Sequence, residues 1–142
     1  MNGEHVVIDA AALLDLMLAW DVGMLLETRL EGRVLHAPGH IDAEVLSGLG
    51  HLERAGVLSS YRTLEHLETL AVAPIERHPV AKLLEGAWGR RHDLRLSDAL
   101  YVELARSLGV ALITTDPSLA GVASPIAELI TQPRASERKD PF

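Results

Sequence analysis

The stretch "SDALYVELARSLGVALITTD", residues 97–116, runs a helix, a stop and a strand together. Leu100, Tyr101, Leu104, Ala105 and Leu108 recur at spacings of three and four, which predicts an amphipathic helix with that face turned inward. Ser97 is the expected cap at its start and Gly109 the expected stop, since glycine tolerates the left-handed backbone that ends many helices. "VALIT", residues 110–114, is a short apolar run of strand length. A helix that feeds a buried strand through a tight turn packs antiparallel to it. The first turn of the helix then lies beside the end of the strand, and Asp98 falls beside Asp116.

The same alternation extends through the chain. "HVVID", residues 5–9, reads as a β-branched strand closed by Asp9, and "AAALLDLMLAW" turns to helical spacing. A second helix is expected around residues 24–30, a strand at "VLHAP" (34–38), and a helix over about 41–55 with Ile41, Val45, Leu49 and Leu52 on one stripe and Gly56 at its stop. Ser60 is the expected cap of a helix through "YRTLEHLETLAV", followed by a strand or loop at "APIERHP". Pro79 suits the start of a further helix with Leu83, Leu84, Ala87 and Trp88 along its stripe. "SPIAELITQ" reads as a last strand at the sheet edge. Short apolar strands between amphipathic helices predict an α/β protein with a mostly parallel sheet. One domain over residues 1–132 is expected, and residues 133–142, "PRASERKDPF" with its first residue at the boundary, are expected to form a mobile tail for want of apolar residues.

The chain of 142 residues carries 13 basic and 20 acidic residues, a formal charge of −7, and no cysteine. Thiolate metal sites and a cysteine nucleophile are excluded. The acidic balance argues against a general nucleic-acid coat protein, because such binding leans on cationic side chains. It leaves open a nucleic-acid enzyme whose acids converge on cations. The opening segment has acids at Asp9 and Asp15 inside its apolar run and no basic start, so neither a signal peptide nor a membrane span is expected, and a cytoplasmic protein is.

In an open parallel sheet, ligands sit beyond the carboxyl ends of the strands. Asp9 and Asp116 occupy that place by pattern, and Asp98 joins them by the antiparallel argument. Glu44 comes early in the helix after "VLHAP", with Ser47, Gly48 and His51 forming a small or polar edge on its side. Each acid has an ordinary reading when taken singly. Asp98 suits a helix amino terminus, Asp116 a turn or cap before Pro117, and Glu44 a solvated surface. Asp9 is the least ordinary, because a carboxylate closing a buried strand meets a desolvation cost of several kcal/mol unless charge compensates it. With no lysine among them, the natural compensation for four converging carboxylates is a hard divalent cation, Mg2+ or Mn2+. Such ions could ionise a water and stabilise a breaking phosphodiester, in pairs about 4 Å apart if two are used.

Together "VVIDAAALLDLML", "HAPGHIDAEVLSGLGHLERAGVLS" and "LSDALYVELARSLGVALITTDPSLA" resemble the PIN domains of the VapC type, ribonuclease toxins of bacterial toxin–antitoxin pairs, over about residues 5–131. The resemblance implies a three-layer α/β/α sandwich and Mg2+- or Mn2+-dependent RNA cleavage. It implies Asp9, Glu44, Asp98 and Asp116 as catalytic residues, with Asp9, Asp98 and Asp116 as metal ligands and Thr114 in support. It also implies a homodimer held inactive by a cognate antitoxin whose tail covers the acidic pocket. One position departs from the family pattern: where Ser, Thr or Asn commonly stands two residues after the first acid, this chain has Ala11, whose side chain can neither donate nor accept a hydrogen bond.

"GRRHDLR", residues 89–95, is the densest basic stretch, and Arg90 and Arg91 are candidate RNA-phosphate contacts against the plainer reading of a solvated helix end. Asp93 within it reads first as an arginine partner and second as a fifth acid of the pocket. The histidines at 36, 40, 51, 66, 78 and 92 show no paired metal spacing and are assigned to no site. Trp20, Trp88 and Tyr101 are expected in the core or a dimer interface. Two alternative functions stand beside the nuclease: a catalytically weakened module that binds a partner protein, and a metal-dependent phosphatase. Ala11 and the scarcity of lysine speak against the phosphatase, which wants a second Asp two residues beyond its nucleophile.

Overall fold

The computed structural model describes residues 4–123 and 126–131, so the expected tail at 133–142 lies outside the described residues. Its elements in order are β1 (His5–Ile8), α1 (Ala10–Leu18), α2 (Asp21–Leu30), β2 (Val34–Pro38), α3 (Ile41–Arg54), α4 (Ser60–Val72), β3 (Ile75–His78), a 3-10 turn (Val80–Leu83), α5 (Leu84–Trp88), α6 (Leu96–Leu108), β4 (Ala111–Thr114), α7 (Pro117–Val122) and β5 (Ala127–Leu129). The five strands form one sheet in the order β3-β2-β1-β4-β5, and every pairing is parallel. One group of helices packs α1 on α2 and α3, and α3 on α4. A second sets α5 against α6, which lies over β1, β2 and β4. This is the expected α/β/α arrangement.

The centre of the sheet is β1 and β4, whose Val6, Val7, Ile8, Leu112 and Ile113 are almost fully removed from water. Strands buried on both faces read as unbroken apolar runs, and both of these do. Ile41, Val45 and Leu49 of α3 and Ala99, Val102 and Ala105 of α6 close the core from the helix layers. Gly109 ends α6 at φ 67°, as its sequence position requires. Gly23 serves close approach instead: a Cβ there would stand 2.1 Å from the Asp15 carbonyl oxygen, so only glycine lets α2 cross α1 at this point.

Several expectations need correction. Arg95, not Ser97, is the N-cap of α6 and makes no side-chain cap bond, so Ser97 lies inside the first turn. Ser59 caps α4 by accepting from the Arg62 N–H, and the neighbouring Ser60 hydroxyl donates to Glu53 instead. The helix expected from Pro79 begins as a 3-10 turn before α5. On it Leu83 and Ala87 are buried but Leu84 and Trp88 are exposed, and Trp20 is exposed as well. Neither tryptophan is a core residue of the single chain.

Candidate active site

The carboxyl ends of β1 and β4 lie side by side, because Ile8 pairs with Ile113, and each strand ends at an acid that starts the next helix. Asp9 is the N-cap of α1, and its Oδ1 accepts from the Ala12 N–H at 2.8 Å. Asp116 is the N-cap of α7, and its Oδ1 accepts from the Ser118 N–H at 2.9 Å. The Thr114 hydroxyl joins the two. It donates to Asp9 Oδ2 and accepts from the Asp116 N–H at 3.0 Å, so one fully buried side chain sets the position of both acids.

Asp98 comes from the first turn of α6, and with Asp116 and Asp93 it lines a cleft of about 290 Å³. The antiparallel placement of α6 and β4 therefore brings Asp98 to Asp116 as the chain order predicts. Arg95 Nε lies 3.2 Å from Asp98 Oδ2. Neither Asp9, which is buried, nor Glu44, in the first turn of α3, lines that cleft, though Glu44 has a link to it. The link runs through its neighbours: Glu44 Oε1 accepts from the Tyr101 hydroxyl at 2.6 Å and lies 3.2 Å from His40 Nε2, which in turn reaches the Ser97 carbonyl at 3.0 Å. Both contacts converge on Oε1.

The charges explain what the cluster lacks. Asp9 is 4% exposed, and burial, aided by the negative charges of Asp116 and Asp98, pushes its carboxyl up to about 6 in spite of the Thr114 and Ala12 hydrogen bonds. Glu44 goes the other way. Burial opposes its charge, but hydrogen bonds from His40 and Tyr101 and the nearby positive charge of Arg95 outweigh that and hold it below the usual carboxylate range. His40 is raised: its burial works against the imidazolium, and Glu44, the Ser97 carbonyl and Asp98 outweigh it. Tyr101 is pushed up by burial and by Glu44, so its phenol stays a donor. One end of the site thus has its countercharge built in. The other, around Asp9, Asp98 and Asp116, has three acids and a single exposed arginine.

That imbalance is a test of fit for a cation. A hard divalent ion takes carboxylate oxygens, and Asp9, Asp98 and Asp116 supply them where the protein's own compensation is missing. Ala11 is exposed and takes no part in holding Asp9, a task divided between Thr114 and the Ala12 N–H. The remaining sequence candidates are less committed. Asp93 is exposed on the cleft, and among the described residues it has no arginine partner, contrary to its first reading. Arg90 pairs with Glu103, while the Arg91 guanidinium lies 4.7 Å from the Trp88 ring centroid. His40 and Arg95 were missed by sequence reasoning, and Tyr101 was placed in the core without its bond to Glu44. The signals were present: His40 stands four residues before Glu44, and Tyr101 three after Asp98, each on one helical face. A larger hollow of about 680 Å³, lined by Leu16, Leu30, Val34 and Pro74 among others, holds none of the four candidate acids.

The PIN domain family model matches residues 6–125. The chain is 49% identical over 118 residues to Ribonuclease VapC3 of Mycobacterium tuberculosis, covering 82% of this chain and 86% of that one. It is 34% identical over 115 residues to Ribonuclease VapC12 of the same organism, covering 81% and 89%. Among solved structures, a toxin–antitoxin complex from Klebsiella pneumoniae superposes with a TM-score of 0.61 at 20% identity, covering 89% of this chain and 98% of that one, a likeness of fold.

Proposed function

This chain belongs to the PIN-domain family, and on that premise we propose that it is a metal-dependent endoribonuclease, the toxin of a type II toxin–antitoxin pair, whose active site is the cluster of Asp9, Glu44, Asp98 and Asp116. The enzyme is a nuclease, a hydrolase of phosphodiester bonds, as its VapC ribonuclease relatives are named to be. The observation that carries the site assignment is Asp9, a buried carboxylate whose charge is opposed by burial and by two neighbouring acids.

Asp9, Asp98 and Asp116 would hold Mg2+ or Mn2+, which when bound supplies charge for the phosphodiester as it breaks and lowers the pKa of a water. The protein's residues do the rest. Thr114 ties Asp9 to the Asp116 backbone, and the Ala12 and Ser118 N–H groups hold one oxygen of each carboxylate, so neither acid searches over rotamers. Glu44 is kept ionised with Oε1 anchored by Tyr101 and His40, which leaves its second oxygen to accept a proton from or orient a water. Arg95, exposed at the rim beside Asp98, would meet a phosphate together with the exposed Arg91, while Arg90 would have to give up part of its pairing with Glu103 to join them.

A cognate antitoxin, a second copy of the chain and a cytoplasmic location belong to the same reading. Among the described residues no helix is long and apolar enough to cross a membrane. Exposed Trp20, Met24 and Leu25 at α2, and Tyr61, Leu64 and Val72 on α4, offer apolar surface for protein contacts. The purified chain is expected to cut RNA with Mg2+ or Mn2+ and to stop on chelation with EDTA, with activity restored by added cation and suppressed by the co-expressed antitoxin. Cleavage that persists undiminished in EDTA would overturn the metal-dependent reading. A partner-binding module without activity would show antitoxin capture and no RNA ends at all.

Tyr101→Phe tests the Glu44 anchor. The ring still fills its buried position, but Glu44 loses a donor at 2.6 Å. Stability is expected to fall by about 1.5–3 kcal/mol, the range for a hydrogen bond to a charged group. RNA cleavage should decline roughly tenfold, short of the roughly 10²–10⁴-fold that a positioned base contributes, because His40 still anchors Glu44 Oε1. Urea denaturation and initial rates separate the two effects.

A further inference from the structure

Parallel register puts His5, His36, Glu76 and His78 on one face of the sheet. Val7 pairs with His36, and His36 with Glu76. His5 stands two residues before Val7 and His78 two after Glu76, and side chains two apart on a strand share a face. The three imidazoles form a diagonal row across β1, β2 and the edge strand β3, with successive ring centroids 5.2 Å apart. His36 Nδ1 lies 2.9 Å from His78 Nε2 and 3.5 Å from Glu76 Oε2, and on its other side His36 Nε2 lies 3.0 Å from His5 Nδ1. Candidate ligand atoms of His36, Glu76 and His78 all fall within 4.8 Å of one another.

We propose that His36, Glu76 and His78 form a binding site for a late first-row divalent metal ion of the Zn2+ class, separate from the acidic cluster. Two imidazoles and a carboxylate make a borderline-soft donor set that suits Zn2+, Co2+ or Ni2+ rather than Mg2+. Two of the three ligand-to-ligand distances are close to what such an ion needs. Bonds of about 2.0–2.1 Å in a tetrahedron set ligand atoms roughly 3.3 Å apart, against the 2.9 and 3.5 Å seen around His36 Nδ1. A small turn of the His78 ring opens the narrower gap.

The outer partner is in place too. With Nδ1 of His36 turned to the ion, Nε2–H donates to His5 Nδ1, the kind of second hydrogen bond that fixes the tautomer of a metal-bound histidine. With the same His36 tautomer in the metal-free chain, His78 Nε2–H would be the donor to His36 Nδ1. On binding, that proton passes to His78 Nδ1 through solvent, and no net proton need be released. His36 is buried, which pushes its imidazole below the ordinary value and favours the neutral, ligating form despite Glu76. Glu76, whose side chain is 63% exposed, leaves the ion a path from solvent, and water completes the fourth position. An ion here would fasten the edge strand β3 to β2.

Titration of the full chain with Co2+, in excess Mg2+ to occupy the acidic cluster, should show one equivalent with the visible absorption of a tetrahedral nitrogen-ligated ion. Zn2+ should abolish that band by competition and raise the midpoint of thermal unfolding. His78→Gln and Glu76→Gln sit on an edge strand outside the core, and each should lower Co2+ affinity by about tenfold or more, the scale on which even outer partners of a metal site act. The Asp9→Asn/Asp116→Asn double variant should keep the band, whatever becomes of RNA cleavage. Unchanged Co2+ binding in His78→Gln, or loss of the band in the acidic-cluster double variant, would overturn the site, as would an octahedral oxygen-type spectrum in the parent chain.

Discussion

Asp116→Asn and Asp9→Asn are each expected to reduce RNA cleavage by more than about a hundredfold, because losing even an outer partner of a metal ligand costs roughly 10–100-fold and these two are proposed as the ligands themselves. Growth inhibition on induction should disappear with the cleavage. Neither change should unfold the protein. Asparagine is as good an N-cap as aspartate, so Asn at 116 can still accept from the Ser118 N–H and Asn at 9 from the Ala12 N–H. The Thr114 hydroxyl can still accept from the Asp116 backbone N–H in either variant. Far-UV circular dichroism and urea unfolding establish that the fold survives, and cleavage is then read on folded protein. Cleavage within a few-fold of the parent in either variant would remove that acid from the proposed site. A loss accompanied by an unchanged Mn2+ affinity would assign the residue to orienting substrate instead of holding metal.

β1 and β4 announce themselves because strands buried on both faces read as apolar runs, and an acid just beyond such a run has no ordinary excuse. The α6–β4 turn gave the Asp98–Asp116 placement, since antiparallel packing of helix on strand follows from a short connection. The exposed face of a helix was harder. Periodicity identifies a stripe but not whether a neighbour covers it, so Trp88 and Leu84 were expected inside and are found in water. The short α7, Pro117–Val122, has too few residues to show a period. The caps slipped by one or two positions because Ser59 and Ser60 offer the same hydroxyl and tertiary context chooses between them, while the N-cap of α6 is Arg95, with no side-chain cap bond at all. The histidine row was not visible at all: its members are separated by 31 and 42 residues, and only strand register brings them to contact.

The metal-free protein is expected to lose about 3 kcal/mol of stability between about pH 4 and pH 6 that Asp9→Asn does not lose. The Asp9 carboxyl rises from 3.8 in the unfolded reference to about 6 in the fold, and each unit is worth about 1.4 kcal/mol. The sign follows from proton counts. Below about pH 4 both states carry the proton and Asp9 contributes no difference. Between the two values the folded state binds more protons than the unfolded one, so stability falls as pH rises, and above about 6 the full penalty of a buried charge remains. Subtracting the Asp9→Asn curve from the parent curve, each from urea unfolding in EDTA, removes the titrations of His36, His40 and Glu44, which both proteins share. Mn2+ reverses the penalty in the parent alone: at a hundred times its dissociation constant a ligand that binds only the folded state adds about 2.7 kcal/mol. Below about pH 6 protons compete for Asp9, so Mn2+ affinity should fall as pH is lowered. Parallel curves for the two proteins from pH 4 to 7, with equal gains from Mn2+, would show that Asp9 is neither strained by its burial nor relieved by metal. Unequal curves would show that the buried charge which destabilises the empty fold is the one that prepares it to hold a cation.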